Sequence, residues 1–277
     1  AAGANKQAPF ELGMSAINVP FAIPNVRVEV PEVPAHTRIG WFRSVSNIPH
    51  AFAIQSFAAE LAHAAKKDHR DYLLELLGPA RKIDPKELSD GWNYGEDPAK
   101  YPVDIGRMRH VIELATAKAG WGRKLPKGRG LGLAVSYSFV TYVAAVIEVE
   151  INAAGEVIVP RVDIAMDCGP QINPDRVRSQ IEGACVMGLS LAMSGEISFK
   201  NGRVEQSNFH DYAVLRAADA PCVIHTHLVT GTLDMELGGV GEPAVPPIAP
   251  ALCNAIFAAT GKRIRALPVG MQLAKKG

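Results

Sequence analysis

The chain has 277 residues, 48% of them hydrophobic and 21% charged, with a formal net charge of +1 at pH 7. That is the composition of a globular protein able to bury a sizeable core. It excludes the basic surface that would steer a chain toward nucleic acid or an acidic membrane.

The opening, AAGANKQAPFELG, lacks a charged segment followed by an apolar run, so no secretory signal is expected there. The stretch to Pro34 is rich in proline, and Asn25–Val30 alternates in strand fashion. A helix is predicted from Pro49, with Phe52, Phe57, Leu61 and Ala64 or Ala65 as its apolar face and Lys66 and Lys67 at its end. A short helix follows at about Arg70–Leu77. Residues 78–106 combine Gly, Pro and charge and read as a surface excursion. Met108–Ala119 resumes helix.

From Gly130 the pattern changes. GLGLAVSYSFVTYVAAVIEVEI and EVIVPRVDIAMD are strand-like runs, joined by a hairpin at NAAGE. Asn173-Pro174-Asp175 opens a helix through Met193. Short strands are predicted near Ile197–Phe199, Arg203–Glu205 and Val223–Leu228. The last helix covers about Ile248–Thr260, with Gly261 as its stop. Strands and helices mix without regular alternation, so the class is α+β. Gly130–Ile147 and Pro243–Gly261 lack charge, but the first holds hydroxyls and the second four prolines. Both read as buried elements of a globular fold rather than membrane spans.

The candidates for chemistry are few. Glu242 is the one charged residue between Glu236 and Lys262. It is either an acid stabilised at a helix start or a buried base, presented by a stiff turn and approached through Gly238, Gly239 and Gly241. Apolar surroundings would raise its pKa toward the range where it takes and returns a proton. Gln180, Gly183, Ala184, Met187 and Gly188 share a helical face, suited either to close helix packing or to an anion at the helix start. Arg43 lies between aromatic residues before a helix, as a surface charge or as a clamp on an anionic or carbonyl-bearing ligand. His225 and His227 lie on one strand face but lack a third metal ligand. The four cysteines (168, 185, 222 and 253) form no CxxC pair and read as buried free thiols rather than a cluster or zinc site.

Taken in order, WFRS, MDCGPQINP…QIEGACVMGLS, NFHDYAV and GGVGEPAVPPIAPALCNAI resemble the molybdenum-binding subunits of the xanthine dehydrogenase/aldehyde oxidoreductase superfamily. The match is to the isoquinoline 1-oxidoreductase beta-subunit type, which includes membrane-bound aldehyde dehydrogenases. It covers about Phe21 to Pro268. The resemblance implies the C-terminal part of a molybdenum cofactor-binding domain, with mixed sheets and flanking helices. Residues 1–128 would form the first half of the cofactor-binding region and 129–277 the second.

It also implies roles. Glu242 matches the catalytic base. Arg43, with Phe42, matches the substrate side, although the usual AFRG is WFRS here. Gln180 matches the glutamine that hydrogen-bonds the cofactor. Gly183, Ala184 and Cys185 match a small-residue loop near it, and Gly239, Val240 and Gly241 the loop beside the metal. The implied reaction oxidises an aldehyde to a carboxylic acid or hydroxylates an N-heteroaromatic, with water as the oxygen source. The implied cofactor is molybdenum–molybdopterin in its cytosine dinucleotide form. Expected partners are the rest of the molybdenum subunit, a [2Fe–2S] subunit and a membrane-anchored cytochrome c carrying haem, in a hetero-oligomer. The expected compartment is the periplasm, with the cytoplasm as the alternative. The alternative role is a non-catalytic half-subunit that scaffolds such a complex.

Overall fold

The computed structural model describes residues 4–5, 9–29, 31, 33–34 and 40–274. Its centre is a four-stranded sheet of β1 (Arg129–Ser138), β2 (Thr141–Ile151), β3 (Val157–Asp167) and β4 (Val223–Leu228), in the order β4-β3-β2-β1. The three long strands pair antiparallel, and β4 joins β3 in parallel. β2 is buried along nearly its whole length because the sheet is covered on both faces, which explains its unbroken Val/Ile/Ala run.

The helices are α1 (Asn47–Ala64), α2 (His69–Leu77), α3 (Ile105–Ala119), α4 (Pro174–Met193) and α5 (Ile248–Thr260). On one face Val143, Ala145, Ile147 and Ile164 meet Ile181 and Leu189 of α4 and Ile248 and Leu252 of α5. On the other, Leu133, Val135, Ala144 and Val146 meet Leu73 and Leu77 of α2 and Ile105 and Ile112 of α3. Helices from residues 1–128 thus cover a sheet built by residues 129–277. α5 lies directly on the backbone of β1. A Cβ at Gly132 would stand 2.1 Å from Ala251 O and Ala255 N, and one at Gly130 would stand 2.5 Å from Ala255 O. Glycine at both positions permits that approach. The uncharged stretches Gly130–Ile147 and Pro243–Gly261 are this interface and its surroundings.

Several expectations need correction. Residues 25–29 form no strand, and Val30 lies outside the described residues. α1 buries Ala51, Gln55, Ala58, Ala59 and Ala62, and of the predicted face only Phe52 packs against the core. Phe57 is 60% exposed and Leu61 37%, and Ala64 and Ala65 face solvent. Small side chains bring α1 close to α5 and β1, and Gln55 Oε1 accepts from Val135 N at 3.2 Å. The 78–106 segment is not all surface. Asp90 and Asn93 are buried, Asp90 Oδ1 accepts from Asn93 N, and Val103 pairs with Ile83. Burial lifts Asp90 above the usual carboxylate range, against opposing hydrogen bonds from Asn93 and Asn18. Cys222 is exposed beside the edge strand, whereas Cys168, Cys185 and Cys253 are buried.

The long run from Gly130 is not one strand. It breaks at Phe139 (φ 49°) and Val140 (φ 53°), a two-residue turn with both residues in the left-handed region. Turns of this kind usually carry Asn-Gly or Asp-Gly. The NAAGE hairpin is present, with Gly155 at φ 88° and its N–H on Asn152 O. Ile197–Phe199 and Arg203–Glu205 shrink to the pair Phe199–Lys200 and Arg203–Val204.

Candidate active site

Three segments distant in sequence meet at one place: the loop 41–46 before α1, the outer face of α4, and the loop 238–242 ahead of α5. α4 begins as its sequence predicts. Asn173 Oδ1 accepts from Arg176 N, and Pro174 opens the first turn. Its buried face carries Val177, Ile181, Ala184, Cys185, Gly188 and Leu189, which leaves Gln180, Gly183 and Met187 on the outer side.

The predicted helical face therefore divides. Gly188 is a packing residue, since a Cβ there would stand 2.7 Å from Ile248 Cβ. Gly183 has nothing within 4 Å of where its Cβ would be. Ala184 and Cys185 lie in a helix, not a loop, and their side chains are fully buried in the core. Burial pushes the Cys185 thiol up to about 12, so it is no thiolate at neutral pH.

The loop 238–242 is pinned from the strand side. Gly238 N donates to Cys168 O at 2.8 Å and Gly239 N to Phe139 O at 2.9 Å. Thr141 Oγ1 donates to Gly239 O at 2.7 Å. A Cβ at Gly238 would stand 2.2 Å from Thr141 Oγ1, and one at Gly239 would stand 2.9 Å from Phe139 Cβ. These two glycines admit the hairpin tip, whereas Gly241 has open space where a side chain would project. Val240 between them is half-buried and packs against the α4–α5 core.

Glu242 is half-buried. Its Oε2 accepts from Ser44 N at 2.7 Å, and its carbonyl accepts from Ser44 Oγ at 2.7 Å. α5 starts only at Ile248 and has no side-chain cap. The carboxylate is thus bound to the loop before α1, and the reading of Glu242 as a cap for α5 loses its basis.

Arg43 lies beside it. Its Nε donates to Gly241 O at 2.8 Å, a bond that Nη2 shares. Nη2 also reaches Gln180 O at 3.2 Å and Gln180 Oε1 at 3.0 Å. Burial pulls the Arg43 guanidinium below its ordinary value, and the Glu242 charge pushes back. Because Oε1 of Gln180 is turned to Arg43, its Nε2 donor faces the other way. The flanking aromatics do not dry this contact: Trp41 is 73% and Phe42 51% exposed. Trp41 Nε1 instead donates to Glu11 Oε1 at 3.3 Å.

An open groove of about 870 Å³ runs along the outer face of α4. Phe42, Gly183 and Met187 line one side, and Tyr212, Val214 and Leu215 the other. Tyr212 and Val214 belong to NFHDYAV. His227 Nε2 is 2.9 Å from Asp163 Oδ1, and His225 stacks beside it. Among the described residues no group of three or more His, Cys, Asp or Glu could hold a metal ion.

Sequence reasoning located Arg43, Gln180, Gly241 and Glu242, and the fold brings all four together. It missed Ser44 and Thr141. Both are hydroxyl residues that act on main chain across long sequence separations, and no spacing announces such contacts.

The family model described as the molybdopterin cofactor-binding domain matches residues 57–221, more than half of the chain. The chain belongs to that family, the family of the molybdenum-binding subunits of xanthine dehydrogenase-type enzymes. It is 32% identical over 238 residues to the membrane-bound aldehyde dehydrogenase (pyrroloquinoline-quinone) of Gluconacetobacter polyoxogenes, covering 84% of this chain and 29% of that protein. It is 31% identical over 267 residues to one of the nicotinate dehydrogenase subunits of Pseudomonas putida, covering 94% of this chain and 21% of that protein. It is 29% identical over 266 residues to the beta subunit of isoquinoline 1-oxidoreductase from Brevundimonas diminuta, covering 95% and 30%. The chain thus spans under a third of each of these curated relatives. The aldehyde oxidoreductase of Desulfovibrio desulfuricans shares the fold, with a TM-score of 0.71 at 14% identity over 96% of this chain and 45% of that one.

Among the described residues, the side chains fit one flank of such a cofactor. Gln180 keeps a free amide donor, and Gly183 and Gly241 leave open space for close approach to backbone. No helix of the described residues is long and apolar enough to cross a membrane.

Proposed function

We propose that this chain is the base-bearing part of a molybdenum hydroxylase that oxidises an aldehyde to a carboxylic acid or hydroxylates an N-heteroaromatic. The observation that carries the reading is Glu242, a carboxylate held by the Ser44 amide, next to Arg43 and the Gln180 helix. When bound, the molybdenum–pterin group supplies the two-electron redox chemistry that no side chain here offers.

The chain's own residues do the rest. Gln180 donates its amide to the cofactor. Gly183, Gly239, Val240 and Gly241 are the backbone flank beside it, while Ala184 and Cys185 support α4 from the core. Glu242 Oε2 is committed to Ser44 N–H, so Oε1 takes the proton that activates the attacking oxygen. Arg43 fixes the Gln180 and Gly241 acceptors relative to each other and presents positive charge near developing negative charge. Phe42 and the apolar wall of the groove admit a flat or small apolar substrate.

The cofactor is proposed in its cytosine dinucleotide form. [2Fe–2S] clusters and a haem on partner chains would accept the electrons. The remainder of the molybdenum subunit completes the pocket within a hetero-oligomer, and the periplasm is the proposed compartment. Metal and pterin analysis of the purified active complex tests the reading. The expected result is molybdenum stoichiometric with this chain. Active material without molybdenum would sink it.

A further inference from the structure

We propose that Ser44 is a positioning residue for Glu242, its hydroxyl fixing the main chain from which the carboxylate is presented. This rests on the reading of Glu242 as the base. Ser44 has φ 71° and Val45 φ 49°, two successive non-glycine residues in the left-handed region. Glycine adopts that conformation freely, and a side chain there carries a conformational cost. Such a conformation persists only when its surroundings over-determine it.

The surroundings do so. Ser44 is fully buried. Its carbonyl accepts from Asn47 N at 3.1 Å and Asn47 Nδ2 at 3.0 Å. Asn47 Oδ1 in turn accepts from Ser15 Oγ at 2.7 Å and Tyr94 OH at 2.8 Å. From this fixed position Ser44 grips both ends of Glu242, the carboxylate through its N–H and the carbonyl through Oγ. The backbone geometry suits glycine, yet the position carries a buried hydroxyl bonded to the residue that moves the proton. A base works only when its free oxygen points along one direction. The hydroxyl supplies that direction by holding the main chain, and the N–H holds the oxygen that is not used.

The test compares Ser44→Gly, Ser44→Ala and Glu242→Gln in the full enzyme complex, with benzaldehyde and isoquinoline as probe substrates. Both Ser44 variants keep the N–H and lose the hydroxyl, but only Ser44→Gly relieves the backbone. The melting temperature should therefore rank Gly above Ala. The turnover number should fall alike in both, by about tenfold with KM within about twofold, the scale of one lost hydrogen bond plus misplacement. Hydrogen exchange of the peptide covering residues 238–242 should rise in both. A turnover number that follows the melting temperature, retained in Gly and lost in Ala, would overturn the proposal in favour of a purely structural serine. Wild-type turnover in both variants, with Glu242→Gln inactive, would overturn it too. Wild-type turnover in Glu242→Gln would instead mean that the base assignment had failed.

Discussion

Replacing Arg43 by lysine keeps the charge and removes the fork. In the native site Nε and Nη2 share Gly241 O, and Nη2 continues to Gln180 O at 3.2 Å and Oε1 at 3.0 Å. A lysine Nζ stands about where Cζ of arginine stands, roughly one bond short of Nη2. It can keep Gly241, but the Gln180 contacts lengthen beyond hydrogen-bond range. Hydrogen bonds to charged groups contribute about 1.5–3 kcal/mol each. The guanidinium is only partly buried, so solvent recovers part of that and ~1–3 kcal/mol should be lost for the pair. Read as transition-state binding, that is roughly a 5- to 150-fold fall in kcat/KM. Because the freed Gln180 amide can rotate, molybdenum content should fall as well. The assay is steady-state kinetics and metal content on one preparation of the complex. Wild-type kinetics with full molybdenum would refute the view that Arg43 ties the cofactor helix to the Glu242 loop.

Gly132→Ala should destabilise by about 3 kcal/mol or more, because its Cβ would strike the α5 backbone at 2.1 Å; a chemical denaturation curve checks this. Gly183→Ala should do the opposite, adding ~0.5–1 kcal/mol to the cofactor-free protein through helix propensity while lowering molybdenum retention. Burial, against the pull of the Asp68 charge, drives His69 down to about 4, and its buried Nε2 has no hydrogen-bond partner among the described residues. Its folded-state pKa lies below the unfolded value of about 6.5, so the stability tied to neutral His69 is full above that pH and lost as pH falls toward 4. Melting temperature should therefore drop between pH 7 and 5 more in wild type than in His69→Phe; equal drops would remove His69 from the account.

Much of the frame was legible because local chemistry and tertiary packing agree there. α5 runs over Ile248–Thr260 as read, since its apolar run and Gly261 stop coincide with the burial of Ile248–Ile256 in the core over β1. Likewise, β4 spans Val223–Leu228 as read. Where packing overrides local pattern, the reading failed. α1 shows Phe57 and Leu61 outward because small side chains make its contact with α5. The turn at Phe139 and Val140 carries no turn residue, because the loop 238–242 holds it from outside. In the site, Arg43, Gln180 and Glu242 stood out by resemblance and by isolation in sequence. Ser44 did not, since nothing in WFRS tells that its backbone is left-handed or that it faces a residue 198 positions away.

The most direct measurement of the central claim is the turnover of Glu242→Gln in the intact complex, with molybdenum quantified in the same sample. Glutamine still accepts from Ser44 N through its amide oxygen, so fold and metal content should match wild type. Losing the general base should lower kcat by ~10²–10⁴-fold. A fully metallated variant that turns over near the wild-type rate would contradict the assignment of Glu242 as the base.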